Sequence, residues 1–128
     1  VEGEALHRCA RSRAEQLPAA VAEQPFGPGS QVYKVKGKVF VLLTELAGRP
    51  IVNVKCAPED GVALRGAHAD IVPGYHMNKR HWITLNPGGT LTEDLVEDLV
   101  TDSYLLVVRT LPKAQRPIDP DAEQSYSR

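Results

Sequence analysis

At 128 residues and 42% hydrophobic content, the chain suits one globular domain with a single core. Aromatic residues are only 5%, so aliphatic side chains must fill that core. A formal net charge of −1 excludes attraction of the whole molecule to polyanions. The charge is unevenly spread, however. Residues 31–89 carry eight Lys/Arg against four Asp/Glu, and residues 90–110 carry five acids against Arg109. A basic middle beside an acidic late segment permits a local anion-binding face. Cys9 and Cys56 are the only cysteines and sit among apolar neighbours, so free buried thiols in a reducing compartment are expected. No apolar run approaches the roughly 18 residues of a membrane span, and no signal-peptide pattern is visible. The expectation is a cytoplasmic protein with no membrane partner.

The spacing of Leu6, Cys9, Ala10, Ala14 and Leu17 predicts a helix over Glu4–Leu17, ended by Pro18. Phe26-Gly27-Pro28-Gly29 reads as a loop. Gln31–Val35, Lys38–Leu46 and Ile51–Cys56 read as three strands of an antiparallel meander, with turns at Lys36-Gly37 and Gly48-Arg49-Pro50. Val39–Leu43 is nearly all apolar and is expected at the centre of the sheet. Ala57-Pro58-Glu59-Asp60 starts a helix that should end near Arg65, before Gly66. A short strand, Trp82–Leu85, precedes the Asn86-Pro87-Gly88-Gly89 turn. Thr90-Leu91-Thr92-Glu93 matches a capping box with Thr90 at the cap. Its helix buries Leu95, Val96, Leu99 and Val100. A second helix, Tyr104–Leu111, is expected to follow, capped by Asp102 or Ser103 and closed by Pro112. The domain spans residues 1–111, and 112–128 reads as a flexible tail.

Val72–Trp82 concentrates the chemistry of the chain. It holds a Pro-Gly turn, Tyr75, His76, Asn78, Lys79, Arg80, His81, and the sole Met and Trp. Donors, charge and flat rings together suit surface recognition better than core. Lys34, Lys36 and Lys38 form a second basic cluster around a hairpin turn. Cations that converge in space can hold phosphate. Asn78 can meet a base edge, and Tyr75 or Trp82 can stack on an unpaired base. The competing reading is a solvated hairpin beside a loop whose Trp82 packs on the core. His76 and His81, with His68 or Cys56, lack a complete ligand set, so no metal or other cofactor is expected. No nucleophile elbow, phosphate loop or paired catalytic carboxylates are visible, and the protein is expected not to be an enzyme.

Pro25-Phe26-Gly27, Tyr33–Phe40, Val54-Lys55-Cys56, Pro73–Trp82, Ser103-Tyr104 and Leu111-Pro112 resemble, in order, the MmcQ/YjbR family over roughly Ala5–Leu111. The resemblance implies a CyaY/frataxin-like α/β sandwich, with helices on one face of a twisted antiparallel sheet. It also implies DNA binding through a double wing of sheet and loops. Frataxin-like folds can bind iron through acidic helix residues. Here Glu93, Asp94, Glu97 and Asp98 already have an explanation in the helix dipole and solvation. The resulting expectation is a small non-enzymatic DNA-binding protein. It would bind through Lys34, Lys36, Lys38, Tyr75, His76, Asn78, Lys79, Arg80 and His81. The alternative is a protein–protein or chaperone-like module using the same loop.

Overall fold

The computed structural model describes residues 1–25, 27, 29–75 and 77–122. Helix α1 (Glu4–Gln16) is followed by strands β1 (Ala20–Glu23), β2 (Gln31–Val35), β3 (Lys38–Leu46) and β4 (Arg49–Lys55). Helix α2 (Pro58–Ala67), strands β5 (Ile71–Pro73) and β6 (Trp82–Leu85) and helix α3 (Glu93–Arg109) complete the order. The strands make one antiparallel sheet in the order β1-β2-β3-β4-β6-β5. Helices α1 and α3 pack on each other and on one sheet face, while α2 leans on β5 at the edge. This is the α/β sandwich expected.

Strand alternation sorts the side chains. Tyr33, Val41, Leu43, Val52, Val54, Ile83, Leu85 and Ile71 oppose one another in register and form the sheet side of the core. Helix α1 contributes Leu6, Cys9, Ala10 and Ala14, the spacing read from the sequence. It stops where Leu17 turns extended before Pro18. The most deeply buried strand is β4, from Pro50 to Val54, and not the more apolar β3. Two strands had no sequence signal. β1 adds an edge to β2, and β5 takes Val72 and Pro73 out of the predicted loop.

A bulge in β3 makes Phe40 an extra residue. Tyr33 pairs with Val41 and Lys34 with Val39, leaving Phe40 without an opposite on β2. Phe40 therefore turns into the core beside Val41 and meets Tyr104 edge-on, ring centroids 5.3 Å apart at 80°. The β3–β4 pairing stops at Val41–Val54. Beyond it, the buried Ser103 hydroxyl accepts from Lys55 N–H (2.8 Å) and donates to Phe40 C=O (2.6 Å).

That engagement explains a correction. The two helices expected over Glu93–Leu111 are one, α3, running unbroken to Arg109. Ser103 cannot cap a new helix, because its oxygen is spent on the sheet. The N-cap also differs: Thr92, not Thr90, accepts from Leu95 N–H. Thr90 is held instead by Asp70, whose carboxylate takes both its N–H (3.0 Å) and its hydroxyl (2.8 Å). Those two bonds hold the Asp70 carboxyl below the ordinary range. A Cβ on Gly88 would overlap the same carboxylate. The helix at Pro58 runs through Gly66 to Ala67. The expected tail is packed further than its composition suggests. Residues 113–115 form a short 3-10 turn, Arg116 donates to Leu111 C=O (2.9 Å), Ile118 packs on the core and Pro120 is buried.

Ser103→Ala should remove both bonds and strand the buried Phe40 carbonyl and the part-buried Lys55 N–H, a loss of about 2 kcal/mol. Urea unfolding should show a lower midpoint with an unchanged slope. An unchanged midpoint would deny the bridge its role.

Candidate functional site

The antiparallel order brings several connections to one end of the sheet. The Lys36-Gly37 turn, the end of β4 at Lys55 and the connection from Pro73 to Trp82 all lie there. The α3 C-terminus reaches the same end, where Lys38 Nζ donates to Thr110 Oγ1 (3.2 Å). The axes of the β2–β3 and β6–β5 hairpins are three strand spacings apart, roughly 14 Å. The two basic clusters therefore share an end of the molecule, as anion binding requires.

The individual cations differ. Lys36 and Arg80 are exposed, and neither forms an ion pair among the described residues. Lys34 is neutralised by Glu23 on β1, 2.9 Å away. Lys79 is exposed, but its Nζ donates to Gly74 C=O (3.0 Å) in a part-buried contact. Asn78 organises the loop. Its Oδ1 accepts from Arg80 N–H (2.9 Å), and its carbonyl takes the N–H groups of His81 and Trp82. That side-chain oxygen is committed to the turn. His81 is half-buried and its carbonyl accepts from Cys56 N–H (2.8 Å), so its backbone ties the loop to the end of β4. Tyr75 is exposed while its N–H donates to Thr84 Oγ1 (2.9 Å). Trp82 is half-buried at the start of β6. His76 lies outside the described residues.

The base of the loop is closed by Gly74, whose N–H donates to Trp82 C=O (3.0 Å). A Cβ there would stand 2.8 Å from Trp82 Cβ, a backbone-to-backbone approach only glycine permits. The Pro-Gly signal thus marks a close crossing as well as a turn.

A second feature escaped the sequence reading. Between α2 and α3 lies an open groove of about 570 Å³. Asp60, Asp98 and Asp102 line it together with Leu64, Leu95 and Leu99, over Cys56. Of α2, only Gly61 is buried. Of the acidic residues read as one face, Glu97 pairs with Arg13 on α1 (3.1 Å), whereas Asp98 turns to the groove. The signal was present: Leu95, Asp98, Leu99, Asp102, Leu106 and Arg109 recur at helical spacing along the border of the core stripe, which Leu99 itself joins. Among the described residues, no three His, Cys, Asp or Glu side chains gather as a metal site would need.

Comparison with known proteins places the fold. The YjbR family model matches residues 15–106. The chain belongs to the YjbR family. It is 42% identical to the uncharacterised protein YbdF of Escherichia coli O157:H7 over 113 residues, covering 88% of this chain and 93% of YbdF. It is 36% identical to YjbR of Escherichia coli K12 over 85 residues, covering 66% of this chain and 72% of that protein. Among solved structures, DR2400 of Deinococcus radiodurans, a DUF419 domain, superposes with a TM-score of 0.80 at 33% identity, covering 92% of both chains. Among the described residues, no helix of this family member is long and apolar enough to cross a membrane.

Both cysteines are free and buried. Burial, then Glu97 and Glu93, pushes the Cys9 thiol up to about 11. Burial, then Asp60 and Asp102, pushes Cys56 to about 11. Neither is a ready nucleophile. At pH 8, Ellman's reagent should label the folded chain about a hundredfold more slowly than the urea-unfolded chain, with the rate still rising above pH 10. A rapidly labelled thiol in the folded chain would contradict this. Gly74→Ala should loosen the loop, seen as faster amide exchange at Trp82 and a lower Tm; unchanged exchange would mean the crossing is not tight.

Proposed function

We propose that this YjbR-family protein is a small non-enzymatic nucleic-acid-binding protein. It holds the phosphate backbone of DNA with the cations at the loop end of its sheet. One observation carries the reading: the Lys36 turn and the Lys79-Arg80 loop, 42 or more residues apart in sequence, emerge at the same sheet end. The roughly 14 Å between the two hairpins is comparable with the major groove of B-DNA, about 12 Å wide. Lys36, Lys38, Lys79 and Arg80 make the phosphate contacts, and Tyr75 offers an exposed ring for stacking. Lys34 contributes less, because Glu23 already neutralises it. With Asn78 Oδ1 committed to its turn, base-edge readout is weak and binding follows backbone charge more than sequence. In the sequence, His76 and His81 bracket Lys79 and Arg80. The reading places the protein in the cytoplasm, where nucleic acid is accessible.

A second reading has its own observation. Val72 and Tyr75 are both large, apolar and exposed, and they lie within three residues of each other. A protein partner docking there would use aromatic contact in place of charge.

Salt separates the two. In fluorescence-anisotropy titrations with duplex DNA, affinity should fall linearly on a log–log salt plot. Lys36→Ala, Lys79→Ala and Arg80→Ala should each flatten the slope by about one. Lys34→Ala should change it less. A slope indifferent to all four substitutions would remove this surface from any DNA interface.

A further inference from the structure

A small crevice beside the first two turns of α1 belongs to neither reading above. It lies at the end of β2 and β3 opposite the Lys36 turn, with a volume of about 150 Å³. Glu4, His7 and Arg11, one stripe of α1, form its helix side. Gln31, Leu43 and Glu45 form its sheet side. His7 is only 8% exposed. Its Nε2 lies 2.9 Å from Ile51 C=O, and a carbonyl can only accept, so Nε2 carries the proton. In the neutral ring, Nδ1 is then a lone pair, and it has no hydrogen-bond partner among the described residues. Nor is it sealed in: the fully enclosed, unpartnered side-chain atom among those residues is Arg13 Nε. Nδ1 opens on the crevice that the ring lines. The charges around it are unmatched as well. Arg11 donates through Nε to Gln31 Oε1 (3.1 Å), but its guanidinium forms no ion pair among the described residues, and neither do Glu4 and Glu45. Both signs border one space and stay apart, unlike Arg13 with Glu97 or Lys34 with Glu23.

We propose that this crevice binds a small zwitterionic amino acid. His7 Nδ1, Glu4 and Glu45 are acceptors, and an ammonium group brings three N–H donors and no acceptor. Arg11 supplies the opposite pole, since the unpaired end of its guanidinium is a planar fork that fits a carboxylate. A ligand with an ammonium alone would leave the guanidinium unmatched. A ligand with a carboxylate alone would meet two like charges. A divalent cation needs several converging ligands, and among the described residues no three His, Cys, Asp or Glu side chains gather in that way. Size selects the smaller members of the class. A cavity of about 150 Å³ holds benzene, roughly six heavy atoms, which is the size of alanine. Leu43, 2% exposed, offers an apolar contact for a methyl group. The bond to Ile51 holds the His7 ring in place before any ligand arrives, which lowers the ordering cost of binding. The inference is independent of the DNA reading, since it uses none of the loop-end cations.

The test is a heteronuclear NMR titration of the full chain with L-alanine at about pH 8, where an imidazole is ordinarily neutral, and about 150 mM salt, which screens diffuse attraction. Saturable shifts are expected at the amides of His7, Arg11, Gln31 and Glu45. The His7 Nδ1 resonance should move with them as its lone pair accepts an ammonium proton. Ethylamine, which is alanine without its carboxylate, and propionate, which is alanine without its ammonium, should each bind about tenfold or more weakly. Arg11→Gln should weaken alanine binding to the same degree, while Arg8→Gln, on the same helix but outside the crevice, should leave it unchanged. Circular dichroism checks that both variants fold; if Arg11→Gln does not, the two truncated ligands carry the test. An absence of saturation, an unmoved Nδ1, either truncated ligand binding as well as alanine, or equal effects of the two substitutions would each overturn the proposal.

Discussion

Beyond the Val41–Val54 pair, β3 and β4 no longer bond to each other, and a single hydroxyl bridges the gap. Ser103 stands in for a rung of the ladder, taking Lys55 N–H and giving its proton to Phe40 C=O. Burial makes this bridge consequential, because the Phe40 carbonyl at its buried end would lose its partner without it. The bulge that creates the gap also turns Phe40 inward against Tyr104, and Tyr104 donates its phenol proton to Pro18 C=O (2.7 Å). One turn of α3 thus fixes the bulge, the end of β4 and the entry into β1. The loop-end cations are positioned by those same elements.

Charge on this molecule is managed locally. Arg13 on α1 reaches Thr101 and Glu97 on α3, which ties the two core helices together through their polar flank. Lys34 and Glu23 cancel across the β1–β2 pair. Elsewhere cations gather at the loop end of the sheet, and three carboxylates line the groove between α2 and α3 together with Lys55 and Arg109. A near-neutral total conceals both. Net charge is therefore a poor guide to what either surface attracts.

Helix α1, the β2–β3–β4 meander and β6 were legible from periodicity and from Pro and Gly punctuation. So were the apolar stripe of α3 and the chemistry of the 72–82 segment. The misses share a cause. β1 and β5 are four and three residues long and gain their definition only from a neighbouring strand. Local preference suggested a break near Ser103, but a sheet partner distant in sequence claimed its oxygen and α3 continued. Thr90 looks like a cap until Asp70, twenty residues earlier, takes it. The acidic face of α3 read as one solvated surface; packing against α1 split it, sending Glu97 to Arg13 and Asp98 to the groove. Side-chain type was readable, but partners across the fold were not.

The two borders of the sheet are unlike. Helix α2 leans on β5, and Pro73 at its end has no N–H to offer. β1 carries the run Ala20-Val21-Ala22, with Val21 more than half exposed. Strand addition is thereby confined to a single margin. Association through one margin is isologous: two copies meet head to head and the assembly closes. The asymmetry of this sheet thus excludes open-ended fibre growth by the same edge-to-edge route.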